Sequence, residues 1–143
     1  IKKNGKILFW KSAIKPGRPI AFGKINNCYI ICLPGNPVSV HLLYAFIVKP
    51  FIDYIAGANF LLPLPEKIKV NFGMNKKTKR MEWLRVRKKK KNSQFILEKY
   101  PEQGSGMISS MAYSDGIIEI PEEVSQIKPG EFYNYYDFKI LFF

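Results

Sequence analysis

The sequence predicts an α/β segment over residues 1–60, a linker over 61–66 and a small all-β barrel over 67–143. Three observations carry this expectation. The apolar run Tyr29-Ile30-Ile31-Cys32-Leu33 passes through Pro34-Gly35-Asn36-Pro37 into a helix-periodic stretch, as a strand-to-helix turn does. Leu61-Leu62-Pro63-Leu64-Pro65 is a stiff, proline-spaced connection. Beyond it, short alternating runs are separated by turn residues, the pattern of a small barrel or sandwich.

In chain order, Lys6–Trp10 reads as a short strand and Pro16-Gly17-Arg18-Pro19 as a turn. Ile20–Ile25 is a second strand, and Asn26-Asn27 breaks the chain before a third over 28–33. In the next turn the prolines fix φ, Gly35 permits a positive φ, and Asn36 is a helix cap. Pro37 is then the first helical residue, where its missing N–H costs nothing. Val38, Leu42, Leu43, Ala45, Phe46 and Ile47 give a wide apolar helix face. Pro50 predicts a kink and Gly57 a stop. In the second half, Ile68, Val70 and Phe72 alternate with Lys67, Lys69 and Asn71. Further strands are expected over 81–89, 94–99 and 116–121, with Asn92-Ser93 as a turn. The last strand is Phe132–Phe138, after the turn Lys128-Pro129-Gly130.

Aromatic residues at 15% and hydrophobic ones at 47% exclude a disordered chain. No apolar run is expected to span a membrane, because Lys49, Pro50 and Asp53 interrupt the helix. No signal peptide is expected either, since Ile1-Lys2-Lys3-Asn4-Gly5 is polar. Cys28 and Cys32 share one strand too far apart to bridge, and are expected as reduced thiols in a cytoplasmic protein. With one distant histidine, His41, they lack zinc-ligand spacing. The chain begins with Ile1, not Met, and is expected to be a piece of a longer protein.

Net charge is +12, which favours anionic partners: nucleic acid, a membrane surface or a phosphorylated small molecule. Ten basic side chains lie in 76–80 and 85–91. This run is either a site for non-specific nucleic-acid binding or a solvated hairpin edge. Lys11, Lys15 and Arg18 surround one tight turn. They form either a clamp for a phosphate or an oxyanion such as molybdate or sulfate, or a solvated basic loop. Lys11 and Lys15 are expected on one side of a strand. The helix N-terminus at Pro34–Pro37 is likewise either an anion site or a well-made turn without a ligand. Gly104-Ser105-Gly106 would let backbone N–H groups and a hydroxyl approach a ligand. Ser105 has no base partner for nucleophilic chemistry, since His41 sits inside the predicted helix.

Taken in order, Trp10-Lys11-x-x-x-Lys15-Pro16-Gly17-Arg18-Pro19, Ala21-Phe22-Gly23, Leu33-Pro34-Gly35-Asn36-Pro37-Val38-Ser39, and Gly104-Ser105 with Ile108-Ser109-Ser110 resemble one family. It is the C-terminal portion of the MoeA and gephyrin-E-domain family, the molybdopterin molybdenumtransferases. The resemblance implies the end of a MogA-like, molybdopterin-binding α/β domain followed by a C-terminal β-barrel. It implies insertion of molybdate into adenylylated molybdopterin (molybdopterin-AMP), with Mg²⁺, in molybdenum cofactor biosynthesis.

It further implies that Lys11 and Lys15 are catalytic and bind the oxyanion and the pterin phosphate. Arg18, Pro34, Gly35, Asn36, Pro37, Arg85 and Ser105 would complete the binding site. The family's cleft would lie between the α/β domain of one subunit and the barrel of the other, in a homodimer. The phosphate loop and the acidic Mg²⁺ ligands are expected upstream of Trp10, so this chain alone is expected to be inactive. Arg18 replaces a more usual lysine, and the run Lys88-Lys89-Lys90-Lys91 has no family counterpart. Two other readings stay open: a basic barrel that binds nucleic acid, and a gephyrin-like interaction module.

Overall fold

A computed structural model describes residues 3–59 and 62–142. Leu61, where the expected linker begins, lies outside the described residues, as does Phe60. The first part is an antiparallel meander followed by a helix. Strands β1 (Lys6–Trp10), β3 (Ala21–Ile25) and β4 (Cys28–Cys32) form a three-stranded sheet in that order. The short strand β2 (Ile14–Lys15) leaves this sheet and joins the second part. Phe9, Phe22, Tyr29 and Phe51 make a ring cluster between the sheet and the helix that follows, with centroids 5.0–6.0 Å apart along its contacts.

That helix runs as α1 (Pro37–Leu43), a π-helical stretch over Tyr44–Val48, and α2 (Lys49–Ile55). The expected kink at Pro50 takes the form of a widened turn. The Lys49 N–H reaches back to the Tyr44 carbonyl, and Pro50, which has no N–H to offer, follows in the first turn of α2. Gly57 ends the helix with φ +73°. The 19 residues are long and apolar enough, by length and composition alone, to cross a membrane. Core helices of globular proteins meet the same length and composition, so the expectation of no membrane span is not overturned. In the fold, Val38, Leu42, Leu43 and Ala45 of this helix are buried.

The second part contains a closed five-stranded barrel. Its strands are β5 (Glu66–Val70), β7 (Met81–Lys91), β8 (Gln94–Lys99), β9 (Gly116–Ile120) and β11 (Phe132–Asp137). They run in the order β7-β8-β5-β11-β9, and β9 closes the ring by pairing with β7. Short strands β6 (Met74–Asn75) and β10 (Gln126–Ile127) pair with each other. Helices α3 (Ser109–Ala112) and α4 (Phe138–Phe142) complete the chain. The expected last strand stops one residue early, because the Asp137 carboxylate accepts the Lys139 N–H and starts α4.

Strand alternation divides the apolar side chains between two cores. Ile68, Val70, Leu84, Val86, Leu97, Ile118, Ile120 and Tyr135 fill the barrel. The opposite faces of the same strands carry Trp83, Ile117 and Tyr136, which pack with Val38, Leu42 and Leu43 of the helix. Phe46 stacks on Trp83 at 4.7 Å and meets Tyr136 edge-on at 5.0 Å. Each fully buried side chain of this kind contributes roughly 1.5–3 kcal/mol.

Candidate functional site

Where the two cores meet, a cavity of about 840 Å³ opens. One wall is the loop between β1 and β3. The Lys11 N–H donates to the Ile20 carbonyl at 2.9 Å, and the Ser12 N–H to the Arg18 carbonyl at 3.0 Å. The loop is sewn to the barrel by the parallel pairing of Ile14 with Met81 and Lys15 with Glu82. Lys11, Lys15 and Arg18 all line the cavity. Lys15 does so from β2, and Lys11 and Arg18 from the loop on either side of it, so Lys11 and Lys15 are not residues of one strand; Lys11 adopts φ +69°.

The Leu33–Pro37 turn and the start of α1 form the floor, where Pro34 and Asn36 of the turn and Ser39 of the helix line the cavity. Gly35 and Pro37 are outside the lining. Gly35 has no positive φ, and a Cβ placed on it would touch nothing, so its expected conformational role is not used. Asn36 holds the cap position with extended backbone, but its side chain makes no capping bond. The N–H of Val38 is taken by the Ser105 carbonyl at 3.3 Å, so the first helical turn does not present all its donors to a ligand.

The barrel wall brings Arg85 and the loop at Gln103–Ser105. Arg85 is almost fully buried, at 1% exposure. Its Nε donates to Ser110 Oγ at 3.1 Å and its Nη2 to the Gly104 carbonyl at 3.1 Å. Gln103 locks the same loop, accepting from the Arg85 N–H and donating to the Arg85 and Tyr100 carbonyls. Among the described residues no carboxylate lies within ion-pair distance of Arg85. Burial pushes its guanidinium down to about 10, so it remains a cation at neutral pH. Trp83 also lines the cavity, and its indole N–H has no partner among the described residues.

The sequence reading missed Lys79, Arg80 and Glu82, which line the same cavity. The signal available was Arg80-x-Glu82 at the head of an apolar strand. The cavity thus gathers six cations, Lys11, Lys15, Arg18, Lys79, Arg80 and Arg85, against one carboxylate, Glu82. Both walls of this cavity come from one chain.

The lysine runs do not form one patch. Lys76 is buried and donates to the carbonyls of Lys77, Glu122 and Val124. Lys88 pairs with Glu66 and lies over the rings of Phe95 and Tyr135. His41 bonds the Pro37 carbonyl and stands outside the cavity. Among the described residues no three His, Cys, Asp or Glu side chains are grouped to hold a metal. The cavity's one carboxylate is already committed to two cations. The described residues therefore do not fit Mg²⁺.

Comparison with known proteins gives this geometry a context. A family model described as the MoeA C-terminal region (domain IV) matches residues 67–138. A molybdopterin molybdenumtransferase of Haemophilus influenzae is 31% identical over 133 residues, covering 92% of this chain and 33% of that protein. The molybdenum cofactor synthesis protein cinnamon of Drosophila melanogaster is 28% identical over 127 residues, covering 84% of this chain and 21% of that protein. The crystal structure of the molybdopterin biosynthesis moeA protein from Pyrococcus horikoshii superposes with TM-score 0.70 at 27% identity, covering 93% of this chain and 33% of that one. A molybdenum cofactor biosynthesis protein from Pyrococcus furiosus gives 0.73 at 25%, covering 94% and 46%. The chain spans about a third of the length of the curated bacterial relative it matches.

Proposed function

The chain belongs to the MoeA family through its C-terminal region, and we propose on that premise that it serves as the C-terminal piece of a molybdopterin molybdenumtransferase. The observation that carries the reading is the cavity between helix and barrel, with six cations and one carboxylate. The parent inserts molybdate into molybdopterin-AMP in molybdenum cofactor biosynthesis. In this reading residues 1–60 end a MogA-like α/β domain, 61–66 link, and 67–143 are the C-terminal barrel. The family match beginning at residue 67 supports that boundary. The parent is a cytoplasmic homodimer, and any Mg²⁺ ligands lie in its other domains.

Molybdate is a tetrahedral dianion and the cofactor carries a phosphate, so both need several hydrogen-bonding cations at once. Lys11 supplies an ammonium donor from the loop, and Lys15, tied to Glu82, supplies another from β2. Arg18 adds a guanidinium on the same side. Pro34 and Asn36 shape the floor, while Gly35 and Pro37 hold the turn from outside the cavity. Arg85 is the fixed charge: burial and two hydrogen bonds hold it in place before any ligand arrives. Ser105 offers a hydroxyl beside it. Charges fixed in advance stabilise the charge that develops as a phosphate or molybdate oxygen exchanges partners.

Lys15→Ala in the full-length parent is expected to lower the rate of cofactor formation by about 10²-fold, the usual loss for one preorganised donor. Ser105→Ala is expected to lower it less, without unfolding the protein. Unchanged turnover in both variants would remove these residues from the site.

A further inference from the structure

We propose that Arg80 is an oxyanion-binding residue of this cavity, and that Glu82 is the positioning residue that holds Arg80 and Lys15 beside each other. The inference deepens the reading above and rests on the cavity being an anion site. A carboxylate within a cationic cavity is the least expected group there. Glu82 is 4% exposed, and a buried carboxylate is strongly disfavoured unless cations and hydrogen bonds satisfy it. Both of its oxygens are satisfied, each by a different part of the chain. Oε1 accepts from Nε and Nη2 of Arg80, both at 2.8 Å. Oε2 accepts from Lys15 Nζ at 3.3 Å. Glu82 therefore ties the loop carrying Lys15 to the strand that follows Arg80, and fixes two cations that would otherwise repel.

Neither cation is used up. The Arg80 side chain is 36% exposed and that of Lys15 50%, and both line the cavity. Arg80 presents its Nε–Nη2 edge to Glu82, which leaves the Nη1 edge of the fork without a partner among the described residues. A guanidinium held by a carboxylate on one edge and open on the other offers two parallel N–H groups to a tetrahedral oxyanion. The ligand class is a doubly charged tetrahedral oxyanion, as molybdate or a terminal phosphate.

The test is calorimetric titration of the chain with molybdate at constant ionic strength, with thermal melting to confirm folding. Arg80→Lys keeps the charge but loses the fork, and is expected to weaken binding about tenfold. Glu82→Gln makes the cavity more positive by one charge. Simple Coulomb attraction then calls for tighter binding, whereas loss of positioning calls for weaker binding, by about threefold or more. Lys90→Ala, at the barrel hairpin, is expected to leave affinity unchanged. Unaltered binding in Arg80→Lys, or tighter binding in Glu82→Gln, overturns the proposal while leaving the transferase reading intact. If Glu82→Gln fails to melt cooperatively, Arg80→Lys alone decides. Absence of molybdate binding by the parent chain overturns both. If both variants weaken binding while Lys15→Ala leaves cofactor formation untouched, this inference stands and the transferase roles fall.

Discussion

At Gly17 the chain turns with φ +123°, and a Cβ added there would lie 3.0 Å from a methyl of Leu43 in the buried helix. The turn is thus pressed onto the helix, and Lys15 and Arg18 are carried on either side of it. Gly17→Ala has to adopt a backbone conformation that side chains disfavour and also displace Leu43. We expect it to cost roughly 1–3 kcal/mol in urea unfolding and to weaken molybdate binding with it. A variant as stable as the parent would break the proposed tie between turn, helix and cavity. Three of the cavity's cations were legible from the residues alone, since Lys11, Lys15 and Arg18 surround one turn, whereas Arg85, one member of a basic run, stood out only through the family resemblance. Arg80 and Glu82 were not. Their importance depends on Lys15 pairing with Glu82 across 67 positions, which no local pattern encodes. Lys76 misled for the converse reason, since a lysine in a basic run gives no sign that backbone carbonyls will surround it.

Strand β11 shows what a single element does for stability. Burial raises the pKa of Tyr133, and its bond to Glu131 adds to this. Burial also raises Tyr135, helped by Asp137, and Tyr136, helped by Glu119. An unfolded tyrosine titrates near 10. Above that pH the unfolded chain loses protons that the folded chain keeps, so this contribution is complete below about pH 10 and is lost as pH rises. Arg85 opposes it. Its folded value of about 10 lies below the ordinary arginine range, so its contribution grows with pH in the same window. Three tyrosines outweigh one arginine, and the urea midpoint is expected to fall between about pH 10 and 11.5. Tyr135→Phe should flatten that decline; a slope unchanged by the substitution would show that the buried tyrosines do not set it. The strand itself was legible from its aromatic alternation, as were β7 and β8 from theirs. Its end was not, because Asp137, the last paired residue, also caps the helix that follows with its side chain. The widened turn before Pro50 was also hidden: the sequence shows where a donor is missing, not how the helix absorbs it.

At the scale of the whole molecule, the two parts that composition separates at the prolines are joined by packing. Trp83, Ile117 and Tyr136 belong to barrel strands, yet their partners are Val38, Leu42, Leu43 and Phe46. A periodicity reading sees a barrel strand with one buried face; β7 is buried on both, and only the tertiary contact reveals it. If the second core joins the parts energetically, they unfold together. Trp10 and Trp83 are the only tryptophans, so in a Trp10→Phe background fluorescence reports the second core alone. Its midpoint in urea is expected to coincide with that of far-UV circular dichroism. Phe46→Ala removes the ring that stacks on Trp83 and should move both midpoints together, by about 2–4 kcal/mol. A fluorescence transition that precedes the loss of β-structure would mean the barrel stands alone and the helix merely leans on it. The difference matters for the cavity, whose walls come from opposite sides of this seam. With coincident transitions, Lys15 and Arg85 are held in register for as long as the molecule is folded. With separate ones, the cavity would open before the barrel melts, and anion binding would have to close the seam itself. Molybdate would then raise the fluorescence midpoint more than the dichroism midpoint.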